Sequence, residues 1–279
     1  MAEPLKNLIN TALVRQAAVH LQRGLPGFDA RHFEQLASTG LDALEMKARA
    51  MHICVALEAT LPADFEAAVQ ALNEALAPAE AGAQTAQLSG MPDGLRGWFL
   101  WPVGEYIARH GQAHPELALR ALHALTQRFT AEFALRPFIA RHPALTFATL
   151  QQWVHDKSPH VRRLVSEGSR PRLPWGLQLK TLIADPSPTL PLLLALQDDT
   201  SEYVRRSVAH GGTSPKVFRS WQIELPAGTE VSLQKRHSVR PISTRRYHAG
   251  HHGVAVQING RVVAESSFVL RLPRISDHG

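Results

Sequence analysis

One cysteine, Cys54, stands in a chain of 279 residues, so no disulfide can close within it and a reducing compartment is expected. No apolar run approaches the length that crosses a bilayer; "TLPLLLALQ" (189–197) is far too short. The opening "MAEPLKNLINTALVRQ" carries no charged-then-apolar signal pattern and no small-residue cleavage site. A soluble cytoplasmic protein is the expectation. P-loop, dinucleotide and G-x-S-x-G motifs are also missing, so no nucleotide cofactor is implied. "HAGHH" (248–252) offers three histidines without a cysteine or nearby acid, and no metal site is expected there. Acidic residues are the minority charge: 24 Asp and Glu against 30 Lys and Arg, a net +6. That balance favours an acidic partner such as nucleic acid, and it says nothing of fold.

What is present is mostly helical grammar. "FEQLASTGLDALEMKARAMHICVALEATL" (33–61) has apolar residues at helical spacing and reads as two helices broken near Gly40. "ADFEAAVQALNEAL" (63–76) reads as another, and residues 77–94 as a low-complexity loop. Helical patterns resume over 98–111 and 114–143. Within this region a string repeats: "SPHVRRLVSEG" (158–168) returns as "SEYVRRSVAHG" (201–211), 43 residues later. Val161, Arg162, Arg163 and Val165 fall on Val204, Arg205, Arg206 and Val208. "EFALRPFI" is a looser relative, with Leu135 and Arg136 on Val161 and Arg162. Each copy follows another helix, so the unit is a helix pair, and stacked pairs build an α-solenoid with the second helices along one curved face. Beyond "HGGTS" (210–214) the period changes to two. "KVFRSWQIEL", "TEVSLQKRH" and "GVAVQINGRVVAESSFVL" read as about four strands, with Asn259-Gly260 as a hairpin turn. The expected domains are 1–212, helical, and 213–279, β.

Charge placement marks a candidate site. Residues four apart share a helix face, so Arg163 and Glu167 are expected as neighbours, and Glu132 and Arg136 likewise one repeat earlier. Such pairs are commonly plain surface ion pairs. Here, however, Arg128, Arg136, Arg141, Arg162, Arg163, Arg170 and Arg172 surround the two acids. A carboxylate repels phosphate, so an acid inside a phosphate-binding face calls for a local reason, and stabilising a cation is one. Trp153 reads as core. Trp175, after a proline in a basic turn, suits stacking on a base or a cation. Trp101 sits four before Glu105 and reads as core, with contact to a bound base as the alternative.

The strings "EFALRPFIARHP", "WVHDKSPHVRRLVSEGSRPRLPWG" and "DDTSEYVRRSVA", then "KVFRSWQIEL" and the run from "KRHSVRPISTRRYHAGHHG" to "SSFVL", resemble the AlkC-type DNA glycosylases of the HEAT-like-repeat DNA alkylation repair family. The likeness is dense over 95–209 and 214–270 and thin before that. It implies a mostly α HEAT-like solenoid, a right-handed superhelix of helix pairs, followed by a short β remnant of an immunoglobulin-like sandwich. It implies a monofunctional glycosylase of base excision repair that removes cationic N-alkylated bases, 3-methyladenine and with it 3-methylcytosine, from duplex DNA. No cofactor is implied, and DNA binding places the protein at the nucleoid. By position in the motifs, the resemblance makes Glu132, Glu167, Arg163 and Trp175 the catalytic residues. It makes Arg136, Arg162, Arg170, Arg172, Arg205, Arg206, Arg245 and Arg246 the DNA-binding ones, with Trp101 a candidate lesion contact. One departure stands out: between "VRRSVA" and "KVF" the family normally continues through further helical repeats and the first strands of the sandwich, whereas here "HGGTS" spans the join. The alternatives are therefore a DNA-binding repeat protein with impaired catalysis, or a protein-interaction solenoid, and self-association through the shortened β tail is a further expectation.

Overall fold

The computed structural model describes residues 4–79, 90–209, 228–232, 234, 250–258 and 261–271. Two compact units divide the chain, Met1–Ser214 and Pro215–Gly279.

The α-helices described in the first unit are α1 (Thr11–Gly24), α2 (Ala30–Ser38), α3 (Met46–Thr60), α4 (Phe65–Ala75), α5 (Leu100–His110), α6 (Pro115–Thr126), α7 (Glu132–Arg141), α8 (Pro143–Trp153), α9 (Pro159–Gly168), α10 (Lys180–Ala184), α11 (Leu190–Leu196) and α12 (Glu202–Ala209). Local chemistry sets the ends. Asn10, Asp29 and Asp64 accept the N–H of Leu13, His32 and Ala67, satisfying otherwise orphaned donors at the starts of α1, α2 and α4. Proline occupies the first turn of α6, α8 and α9, where its missing N–H costs no hydrogen bond. Gly40, at φ 74°, supplies the left-handed turn that separates α2 from α3, as the break in the pattern predicts.

Helices α3, α5, α7, α9 and α12 pack in succession, each against the next. Helices α4, α6, α8 and α11 lie beside them, so the pairs form a HEAT-like solenoid. Fully buried Ile53, Leu57, Phe99, Leu135, Phe138, Val161 and Val204 run along this stack as one core.

The repeated string folds twice into the same joint. Asp156 Oδ1 accepts the Ser158 N–H (2.7 Å), and Arg162 Nη1 donates to the carbonyls of Asp156 (2.7 Å) and Lys157 (3.2 Å). Asp199 and Ser201 repeat the first contact, and Arg205 Nη1 repeats the second on the carbonyls of Asp199 and Thr200. Arg162 then grips the next repeat, with Nε at 2.6 Å and Nη2 at 3.0 Å from the Asp199 carboxylate. Burial pushes that carboxyl up, but the Arg162 and Ser201 hydrogen bonds outweigh it and hold Asp199 below the usual range.

In the second unit the described strands are β1 (Gly250–Ile258) and β2 (Arg261–Leu270), antiparallel, with Gly250 opposite Leu270 and Ile258 opposite Arg261. A register shift falls between Val256 and Gln257. The predicted turn residues 259 and 260, the join 210–214 and the strand expected over 216–225 lie outside the described residues.

Candidate active site on the second-helix row

Glu167 lies in the last turn of α9 and is only 6% exposed. A buried carboxylate needs partners, and it has two. Arg170 holds it through Nη1 to Oε2 (2.8 Å) and Nη2 to Oε1 (3.0 Å), while Arg163 Nη2 stands 3.4 Å from Oε1. Arg163 also lies over the Tyr203 ring, 5.1 Å from its centre. Arg170 Nη2 reaches on to the Ser207 carbonyl at 2.7 Å, tying the pair to α12. The expected Arg163–Glu167 neighbourhood is present.

Glu132, the first residue of α7, is placed very differently. Its Oε2 is enclosed and has no hydrogen-bond partner. Burial pushes the carboxyl above its ordinary value; Arg163, its own backbone N–H and Arg170 pull the other way, and Glu167 adds to the rise. A desolvated carboxyl without a dedicated cation is energetically poised to receive one.

The arginines divide between structural and exposed ones. Arg136 does not pair with Glu132 and cannot meet phosphate: it is 0% exposed. Its guanidinium donates to the carbonyls of Gly168 (3.0 Å), Arg170 (2.7 Å), Pro171 (3.1 Å) and Leu177, clasping the segment after α9. Burial pushes its pKa down to about 10. The sequence pattern is corrected here because helical spacing fixes a face, but side-chain length lets Arg136 turn under the chain. Arg162 is corrected likewise, since its side chain is 13% exposed and spent on Asp199 and the joint carbonyls. Arg170 is occupied by Glu167 and Ser207. Arg172 is exposed, Arg205 is exposed but bonded through Nη1 at its joint, and Arg206 pairs at the surface with Glu202 (2.6 Å). Arg245 and Arg246 lie outside the described residues.

Trp175 is 61% exposed and has φ 65°, the one non-glycine residue with positive φ among the described residues. A left-handed backbone costs such a residue about 1–2 kcal/mol. Its indole lies parallel to that of Trp101, centres 6.2 Å apart at 6°. Trp101, on α5, is 4% exposed and also stacks on Phe133 at 5.2 Å, while its Nε1 donates to Glu105 Oε1 at 3.2 Å. Trp101 is thus core, with Trp175 stacked on it. Two participants escaped the sequence reading: Tyr203 beneath Arg163, and Lys47, whose Nζ donates to the Trp175 carbonyl at 3.1 Å across 128 residues. No local spacing could signal either. Among the described residues no cluster of His, Cys, Asp or Glu could hold a metal ion.

The class is a HEAT-like helix stack with Glu132 and Glu167 on neighbouring helices and Arg163 and Arg170 paired to Glu167. Comparison with known proteins narrows it. The family described as "Uncharacterised protein YhaZ, C-terminal Ig-like domain" matches residues 202–272. YhaZ of Bacillus subtilis is 39% identical over 207 residues, covering 74% of this chain and 54% of the relative. The solved structure of Pseudomonas fluorescens alkylpurine DNA glycosylase AlkC, bound to DNA containing an abasic site analog, aligns with a TM-score of 0.65 at 33% identity, covering 75% of this chain and 55% of that one. The chain spans about half the length of the relatives it matches. In sequence and fold it resembles the AlkC-type HEAT-like-repeat proteins, with an Ig-like C-terminal match.

Proposed function

We propose that this protein is a DNA repair glycosylase that hydrolyses the N-glycosidic bond of cationic N-alkylated bases in duplex DNA. The observation that carries the reading is Glu132, a desolvated carboxyl with a partnerless oxygen among arginines. In such surroundings a carboxylate is costly unless a cation arrives to use it. The AlkC likeness supports an alkylated base as the source of that cation, since that neighbour is an alkylpurine DNA glycosylase bound to DNA.

The chemistry follows. A 3-methyladenine is already positively charged, so it leaves without prior protonation. The C1′–N bond breaks with its electron pair moving onto the base, which departs neutral. Positive charge then develops on the sugar as an oxocarbenium ion, and water adds to C1′ and gives up a proton. Glu132 supplies negative charge where that cation forms, and fixed charge in a dry site is worth far more than in water. Glu167 is held by Arg163 and Arg170, which gives it a fixed orientation beside the same site. Trp175 offers an exposed π face to the sugar or the cationic base. Exposed Arg172 and Arg206 are the proposed phosphate contacts.

The test is release of 3-methyladenine from methylated duplex. Wild-type release that is lost in Glu132→Gln supports the reading. Binding to duplex without release makes the protein a DNA-binding repeat protein instead.

A further inference from the structure

Residues 169–178 leave α9 and cross the helix row backwards, against the direction in which the helices are stacked. Three successive helices touch this strap. Arg136 of α7 clasps its carbonyls at both ends, at Arg170 and Pro171 and again at Leu177. Trp101 of α5 receives the Trp175 indole. Lys47, in the first turn of α3, takes the Trp175 carbonyl at 3.1 Å. The strap is further closed by the Gly176 N–H on Leu173 O (3.1 Å) and the Leu179 N–H on Pro171 O (3.1 Å). Gly176 leaves room for this: a Cβ there would lie 3.3 Å from Arg136 Cδ and from Phe133 Cδ1.

A left-handed tryptophan persists only where its surroundings over-determine it. Here the determinants sit on both sides of Trp175. Arg136 fixes the strap's two ends and Lys47 fixes its tip. Neither needs to touch a substrate to do so: Arg136 is fully buried, and Lys47 spends a donor on the protein's own backbone.

We propose that Lys47 and Arg136 are the positioning residues of Trp175, holding the strap across the row so that the indole is in place before the lesion arrives. This rests on the glycosylase reading for its kinetic consequence, but the anchorage itself does not depend on it. Lys47 is exposed, so its replacement is compatible with folding.

The test uses Lys47→Met and Lys47→Arg in the full chain, with Trp175→Phe to identify the Trp175 signal. In DNA-free protein, acrylamide quenching of tryptophan emission should rise in Lys47→Met by a component absent from the Lys47→Met/Trp175→Phe double variant. Single-turnover release of 3-methyladenine should fall roughly five- to tenfold, the net scale of one ordinary hydrogen bond. The Kd for undamaged duplex should stay within about twofold, and Lys47→Arg should recover both readouts. Arg136→Lys, which keeps the charge and loses the planar fork, should act in the same direction. Unchanged quenching overturns the proposal. So does a loss confined to Kd with a shallower salt dependence, which makes Lys47 a phosphate contact. Wild-type protein that releases no base defeats the glycosylase reading alone, and the quenching comparison still decides the anchorage.

Discussion

Helices α9 and α12 share one repeated string yet carry different loads. Each is preceded by an aspartate that accepts a serine N–H, and each folds an arginine back onto two carbonyls before the helix. Val161 and Val204 are equally buried. Beyond that the copies part in sequence: Glu167 of α9 falls on His210, and Arg170 falls on Thr213. What the copies share builds the joint. What only the α9 copy has, Glu167 and Arg170, joins Glu132 of α7 in the candidate site. Repetition in sequence therefore located the scaffold, and departure from repetition located the chemistry.

The largest effect that sharpens this contrast is expected at the unshared acids. Glu132→Gln should lower 3-methyladenine release by about 10²–10³-fold, the scale of one preorganised electrostatic group, with binding to undamaged duplex intact or tighter. Glu167→Ala leaves Arg163 and Arg170 without their partner, so release and thermal stability should fall together, the latter by about 3 kcal/mol. Chemical denaturation beside the excision assay separates the two variants; an equal stability loss in both would erase the distinction between them.

The shared arginines come next. Arg162→Met breaks a buried two-point grip on Asp199 and should cost about 3 kcal/mol. Arg205→Met, at the same place in the later copy, removes only exposed carbonyl contacts and should cost under about 1 kcal/mol. Urea midpoints of the two variants measure this, and equal losses would mean that Arg162's link to the next repeat carries nothing.

A pH effect follows from the raised Glu132 carboxyl. Between the ordinary carboxyl value and the raised one, the folded chain binds more protons than the unfolded chain. Glu132 therefore makes stability fall as pH rises through that window. Release, which uses the ionised form, should rise with pH over the same window, and Glu132→Gln should abolish the stability component. Denaturation midpoints across mildly acidic pH give the readout.

The smallest expected effects are at the surface. Arg172→Glu should weaken duplex binding and flatten its salt slope, since each lost phosphate contact releases about 0.9 fewer counterions. Arg206→Ala should shift stability by under about 0.5 kcal/mol, because its pair with Glu202 is exposed. Fluorescence titration at several salt concentrations tests the first and thermal melting the second.

Much of the fold was legible because helical periodicity and caps are local. The break at Gly40, the helix over 65–75 and the 43-residue repeat needed only short spacings to be read. The two acids and the Arg163–Glu167 pairing were legible for the same reason. Arg136 and Arg162 were misread because a phosphate-binding arginine and a carbonyl-clasping one look alike in sequence. Their difference is burial, and burial depends on what arrives from distant parts of the chain.

The sequence by itself determined the helix pairs, the apolar stripes that stack them, the change to period two after residue 214 and the two carboxyls set among arginines. Only the tertiary structure decided which arginines are spent inside the protein, that Glu167 is ion-paired while Glu132 Oε2 has no partner, and that Lys47 reaches Trp175 from 128 residues away. The reason is physical. Periodicity and capping act within a turn or two of helix, whereas desolvation and hydrogen-bond satisfaction are settled by every group that packing brings near.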